Sequence, residues 1–110
     1  MDLEVEKEFR AIVQKLEETH GEGLDLQAII FMVGLQELGF GFRKYSKDEK
    51  LHVMHVAVCT ILEPFGYYEY LERDQDGWLH FENKKPLPPL NNQEQQVFLK
   101  RALVDYFTQQ

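Results

Sequence analysis

Apolar residues along this chain follow a helical spacing three times, change to a strand spacing, and return to a helical one. Over residues 2–20, Val5, Phe9, Ile12, Val13 and Leu16 recur at steps of four, three, one and three, which aligns them in one stripe. Glutamates occupy the first turns and Gly21 supplies a C-cap, matching the favourable polarity of helix ends. Asp25 can cap a second helix running to Leu38, whose interior from Leu26 to Leu35 is apolar on nearly every face. Such a helix is enclosed by other elements rather than laid on a surface. Gly34 costs helix propensity there, and so predicts a close backbone crossing. After a loop from Gly39 to Tyr45, Ser46 and Glu49 form a capping box. The third helix is predicted from Lys47 to Glu63, with Pro64 and Gly66 as its stop.

Residues 67–83 change period. Tyr67–Glu72 and Trp78–Glu82 are rich in aromatics and flank Asp74-Gln75-Asp76-Gly77. This reads as a β-hairpin in which Gly77 takes the positive φ of a type I turn with a bulge. Lys84–Leu90 contains three prolines, which remove amide donors and favour an extended arm. Asn91 and Glu94 then open a last helix to Thr108, with Leu99, Ala102, Leu103, Tyr106 and Phe107 on its apolar stripe. The expectation is a single domain over residues 1–110, α+β and mainly α, made of three N-terminal helices, a β-hairpin, a Pro-rich arm and a C-terminal helix.

Three helices followed by a hairpin resemble the element order of winged-helix domains. That resemblance implies nucleic-acid binding through a recognition helix, here the segment Lys47–Met54. Charge argues the other way. The net charge is −7 and the pI is near 5.0, and an acidic surface is repelled by phosphate backbones and by anionic lipid. The third helix also becomes strongly apolar and lacks the run of exposed arginine or lysine that DNA reading requires. Residues 1–25 carry eight acidic and three basic side chains, which read as a solvated face. The single cysteine, Cys59, forbids an intrachain disulfide and suits a reducing compartment. No basic segment followed by an apolar run opens the chain, and its longest apolar run, Ala28–Leu35, is far short of the roughly 20 residues of a membrane span. A cytoplasmic location without membrane partners is expected.

Four places could carry chemistry. Asp48, His52, His55 and Cys59 step by four, three and four, and fall in one narrow helical stripe. Their types are those of zinc ligands. His52 and Cys59 are separated by about 10.5 Å along a helix axis, so one ion could take His52 with His55, or His55 with Cys59, but not all three. Further ligands would come from His20, His80 or a carboxylate. The competing reading makes these residues the border of an apolar face through Leu51, Met54, Val58, Ile61 and Leu62, with the thiol acting as a small hydrophobe. Thiol chemistry supported by the neighbouring imidazole ranks below the metal reading.

The G-F-G-F spacing of Gly39–Phe42 resembles part of the first ribonucleoprotein motif of RNA-recognition domains. Leu38 stands at its basic position, Arg43 at an aliphatic one, and the segment joins two helices rather than forming a central strand. The expectation is therefore a connecting loop with Phe40 and Phe42 folded back onto the core. Arg43, Lys44 and Lys47 beside the start of the third helix form a candidate anion site. Asp74 and Asp76 before Gly77 echo a calcium loop, but Glu72 and Asn83 stand at its ends and strands flank it, which favours a plain turn.

The hairpin aromatics divide between two faces by strand alternation. Tyr68, Tyr70 and Trp78, with Pro88 of the arm, are the candidate partner-binding residues, because such side chains combine apolar area with a polar tip. No phosphate loop, dinucleotide fingerprint, nucleophile elbow or zinc finger is present. The sequence thus predicts a non-enzymatic protein-interaction or assembly module, self-associating or bound to a protein partner, with no cofactor and no small-molecule substrate. The alternatives are a zinc-binding hydrolase or sensor using His52/His55 or His55/Cys59, and then a winged-helix-type nucleic-acid module.

Overall fold

The computed structural model describes residues 3–41 and 43–109. Its helices are α1 (Leu3–His20), α2 (Leu26–Leu38), α3 (Lys47–Leu62) and α4 (Asn92–Thr108), and its strands are β1 (Tyr68–Arg73) and β2 (Leu79–Asn83). A short 3-10 turn, Glu63–Phe65, follows α3 directly. The architecture is α+β and mainly α, as the spacing of apolar residues predicted. Phe42, the second phenylalanine of the loop, lies outside the described residues.

Both capping boxes form. Ser46 Oγ accepts from the Glu49 amide at 3.1 Å while Glu49 Oε1 accepts from the Ser46 amide at 2.8 Å. Asn91 and Glu94 repeat the exchange at the start of α4, at 2.8 and 3.0 Å. Two of the four amides left without partners at each helix start or just before it are thereby satisfied by side chains. At the other end of α3, Pro64 tightens the chain into the 3-10 turn, so regular α-helix stops one residue before the expected Glu63.

The chain divides into two compact units. One comprises Met1–Leu26 and Pro88–Gln110 and contains α1 and α4. Val5 and Phe9 of α1 are buried, as are Ala102, Leu103 and Val104 of α4. Lys100 spans this helix pair, donating to both Glu6 carboxylate oxygens at 3.0 and 3.2 Å with its ammonium 5.3 Å from the Phe9 ring centroid. A lysine that covers an aromatic face with its stem while pairing its charge contributes packing as well as electrostatics.

The second unit, Gln27–Leu87, contains most of α2, all of α3 and the hairpin. Leu38, Val53, Val56 and Leu79 form its buried cluster, and Phe31, Leu35, Phe40, Tyr45, Trp78 and Phe81 pack against it. The close crossing expected at Gly34 is present. A Cβ there would lie 2.7 Å from Val53 Cγ1 and overlap the Val53 carbonyl oxygen. The buried face of α3 keeps Ile61 and Leu62 of the one expected but otherwise runs along Val53, Val56, Ala57 and Cys59, and Leu51 is 60% exposed. With apolar residues almost all round α3, periodicity alone does not orient it; the crossing with α2 does.

Candidate functional site

The hairpin turn is built as the sequence predicts. Gly77 adopts φ 92°, its amide donates to the Asp74 carbonyl at 3.0 Å, and the Asp74 amide donates to the Trp78 carbonyl at 2.8 Å. Asp74 Oδ1 accepts from the Asp76 and Trp78 amides, both at 2.9 Å, and Oδ2 meets His80 Nε2 at 2.8 Å. The His80 hydrogen bond, followed by the Trp78 amide, holds the Asp74 carboxyl below its ordinary range. Both carboxylate oxygens therefore serve the turn itself.

A β-bulge was not legible in the strand pattern. Tyr70 stands opposite Phe81 and Glu72 opposite His80, which leaves Leu71 without a partner. The extra residue reverses the parity of β1. Before it, Tyr68 and Tyr70 share a face with Phe81; after it, Arg73 joins that face opposite Leu79. Arg73 thereby reaches the end of α2, where Nη1 donates to the Leu38 carbonyl at 3.0 Å and Nη2 to the Glu37 carbonyl at 3.3 Å. Its Nη1 also donates to the Gly77 carbonyl at 2.8 Å. Leu71 is left 53% exposed and Tyr70 44% exposed. Two adjacent apolar residues, Tyr70-Leu71, within an otherwise alternating strand were the available signal.

Trp78 faces inward. Its ring stacks on His52 with centroids 4.2 Å apart and planes within 5°, and takes the edge of Phe40 at 4.9 Å. Partial burial lowers the His52 pKa first, and the charges of His55 and His80 lower it further against the opposing pull of Asp74. Phe40 links the turn to the α2–α3 loop: the Arg43 guanidinium lies 4.4 Å from the Phe40 centroid and 5.0 Å from that of Tyr45.

His55 and Cys59 are brought together on α3, with Nε2 and Sγ 3.5 Å apart. Tyr68 closes the group by an edge contact with His55 at 6.2 Å. Cys59 is fully buried, and desolvation pushes its thiol up to about 11. At neutral pH the metal-free sulfur is protonated, the opposite of the state a nucleophile needs. Burial, with the neighbouring Cys59, likewise raises the Tyr68 hydroxyl. Among the described residues no group of three His, Cys, Asp or Glu side chains is placed to hold a metal ion.

The cations at the start of α3 have separated roles. Arg43 and Lys44, together with Lys50, line an open cleft of about 650 Å³ whose apolar wall is Phe31, Leu35 and Tyr45. Lys47 is not among its lining residues. The Glu49 carboxylate already accepts the Ser46 amide and lies 3.9 Å from Arg43, so the capped end of α3 carries an anion of its own. That backbone hydrogen bond is the main reason the Glu49 carboxyl lies below its ordinary range.

Of the residues singled out from sequence, the structure therefore joins His55 with Cys59 and Tyr68, and His52 with Trp78. Tyr70 stands exposed, and Pro88 belongs to the unit that contains α1 and α4. Phe31, Leu35 and Lys50 of the cleft and Leu71 of the bulge were not foreseen. Among the described residues, no helix is long and apolar enough to cross a membrane. No family model matches the chain, and neither a curated protein nor a solved structure does.

Proposed function

We propose that this protein is a non-enzymatic binding module, and that the hairpin of its second unit supplies the surface for a protein partner or a second copy. The observation that carries the reading is the exposure of two neighbouring residues of β1 at the bulge, Tyr70 at 44% and Leu71 at 53%. A tyrosine beside an aliphatic residue offers large contact area with little side-chain entropy to lose. The backbone around it is held in place: the Tyr70 amide donates to Glu63 Oε2 at 2.9 Å, and its ring meets Phe81 at 5.8 Å. The surface is thus ordered before a partner arrives, which reduces the cost of association. The chemistry of the polar groups agrees with binding rather than turnover, since the thiol is buried and protonated and Asp74 is committed to the turn.

The test is native mass spectrometry of the purified protein, combined with affinity capture, for wild type and for Tyr70→Ala and Leu71→Asp. Leu71 is exposed and has no cross-strand partner, so Leu71→Asp should keep the wild-type melting temperature. Tyr70→Ala, which loses the ring contact with Phe81, should lower stability by no more than about 1 kcal/mol. Loss of self-association or of a captured partner in both supports the reading. Unchanged association and capture in both would remove the hairpin from the contact surface.

A further inference from the structure

The cleft between α2 and the start of α3 has the composition of a small-ligand site. Its volume of about 650 Å³ falls within the roughly 300–1,000 Å³ typical of pockets that enclose small molecules. One wall is apolar and partly aromatic. Phe31 and Leu35 come from α2, and the Tyr45 ring meets Phe31 edge to face at 5.8 Å. Tyr45 is fixed in turn by its hydroxyl, which donates to the Gly41 carbonyl at 2.8 Å. Beyond Gly41 and Ser46, the rest of the lining is cationic. Arg43, Lys44 and Lys50 converge here in a chain of net charge −7, so the local charge opposes the global one. Lys44 and Lys50 form no ion pair among the described residues, while Arg43 is steadied over the Phe40 and Tyr45 rings with Glu49 at 3.9 Å.

We propose that this cleft binds a small organic anion: a planar apolar body lying against Phe31, Leu35 and Tyr45, with a carboxylate, sulfonate or phosphate monoester facing Arg43, Lys44 and Lys50. The capping box already satisfies the Ser46 and Glu49 amides, so side chains rather than the helix end recognise the charge. The apolar wall excludes a bare inorganic ion as the preferred ligand, because such an ion would leave that wall in water. The Arg43–Phe40–Trp78 succession of ring contacts also makes Trp78 a reporter. A ligand that draws Arg43 away from Phe40 changes the surroundings of the only tryptophan in the chain.

Anilinonaphthalene sulfonate, an aromatic anion, is the probe. It is titrated into the whole protein at low salt, with calorimetry for stoichiometry and amide chemical-shift mapping for position. The expected result is one probe per chain, with shifts concentrated at Phe31, Leu35, Gly41 and residues 43–50. The exposed-residue variant Lys44→Glu/Lys50→Glu should weaken binding by about tenfold or more without lowering the melting temperature, and neutral phenylnaphthylamine should bind correspondingly worse. Affinity indifferent to the two charge reversals, shifts centred on the hairpin or on α1 and α4, or equal affinity for the neutral analogue would each overturn the proposal. So would preference for inorganic phosphate over the aromatic anion.

Discussion

The guanidinium of Arg73 closes the C-terminal end of α2 by donating to the Leu38 carbonyl, thirty-five residues earlier, at 3.0 Å. A second nitrogen reaches the Glu37 carbonyl. These are among the carbonyls that a helix end leaves without internal partners, and a cation there also opposes the negative end of the helix dipole. The contact ties β1 to α2 through the bulge that turns Arg73 inward.

Replacing Arg73 with methionine keeps much of the stem and removes the donors. Stability should fall by about 1–2 kcal/mol, read as a lower urea midpoint with an unchanged slope. Arg73→Lys should recover less than half of that, since one ammonium cannot reproduce two directed donors. An unchanged midpoint in the methionine variant would show that water serves the Leu38 and Glu37 carbonyls equally well.

Gly34→Ala sets two effects of opposite sign against each other. Alanine gains about 1 kcal/mol of helix propensity over glycine. At this position its Cβ would overlap the Val53 carbonyl oxygen and crowd Cγ1. A backbone atom cannot swing aside as a flexible side chain can, so α2 and α3 must separate. The net change should be destabilising by about 1–3 kcal/mol, and thermal melting of the variant checks its sign.

The His52–Trp78 stack makes tryptophan fluorescence sensitive to acid. Burial and the neighbouring His55 and His80 hold the His52 pKa below the ordinary imidazole value. Unfolding restores that value, so between the folded-state pKa and about 6.5 the unfolded chain binds more protons. His52 therefore contributes a stability that is complete above this window and declines as pH falls through it. Trp78 emission should drop over the lower part of the same window as an imidazolium forms against the indole, and His52→Asn should abolish that step. Asp74 acts further into acid: its lowered pKa gives a stability that persists until pH falls through the folded-state carboxylate value. A step that survives in His52→Asn would assign the quenching to His55 or His80.

Much of the architecture is legible from local chemistry. Ser46 with Glu49, and Asn91 with Glu94, place two helix starts because a capping box is satisfied within four residues of chain. Gly77 places the turn because its positive φ is costly for other residues. The candidate sites were less legible. His52, His55 and Cys59 are on one stripe by spacing, yet the structure gives His52 to Trp78 and buries Cys59 beside His55. Spacing along a helix says which residues share a face; it carries no information about what faces them.

The same distinction holds for the whole chain. Sequence by itself determined the helices and strands, their order, the capping boxes of α3 and α4 and the glycine at the helix crossing, since these follow from backbone sterics, local hydrogen bonding and the periodicity of apolar side chains. Tertiary structure alone decided which face of α3 is buried, the parity of β1 beyond Leu71, the assignment of Arg73 to the end of α2, and the meeting of Phe31, Leu35 and Tyr45 with Arg43, Lys44 and Lys50. Each of these depends on partners distant in the chain. Their energies are close to those of alternative arrangements until packing at native density admits only one.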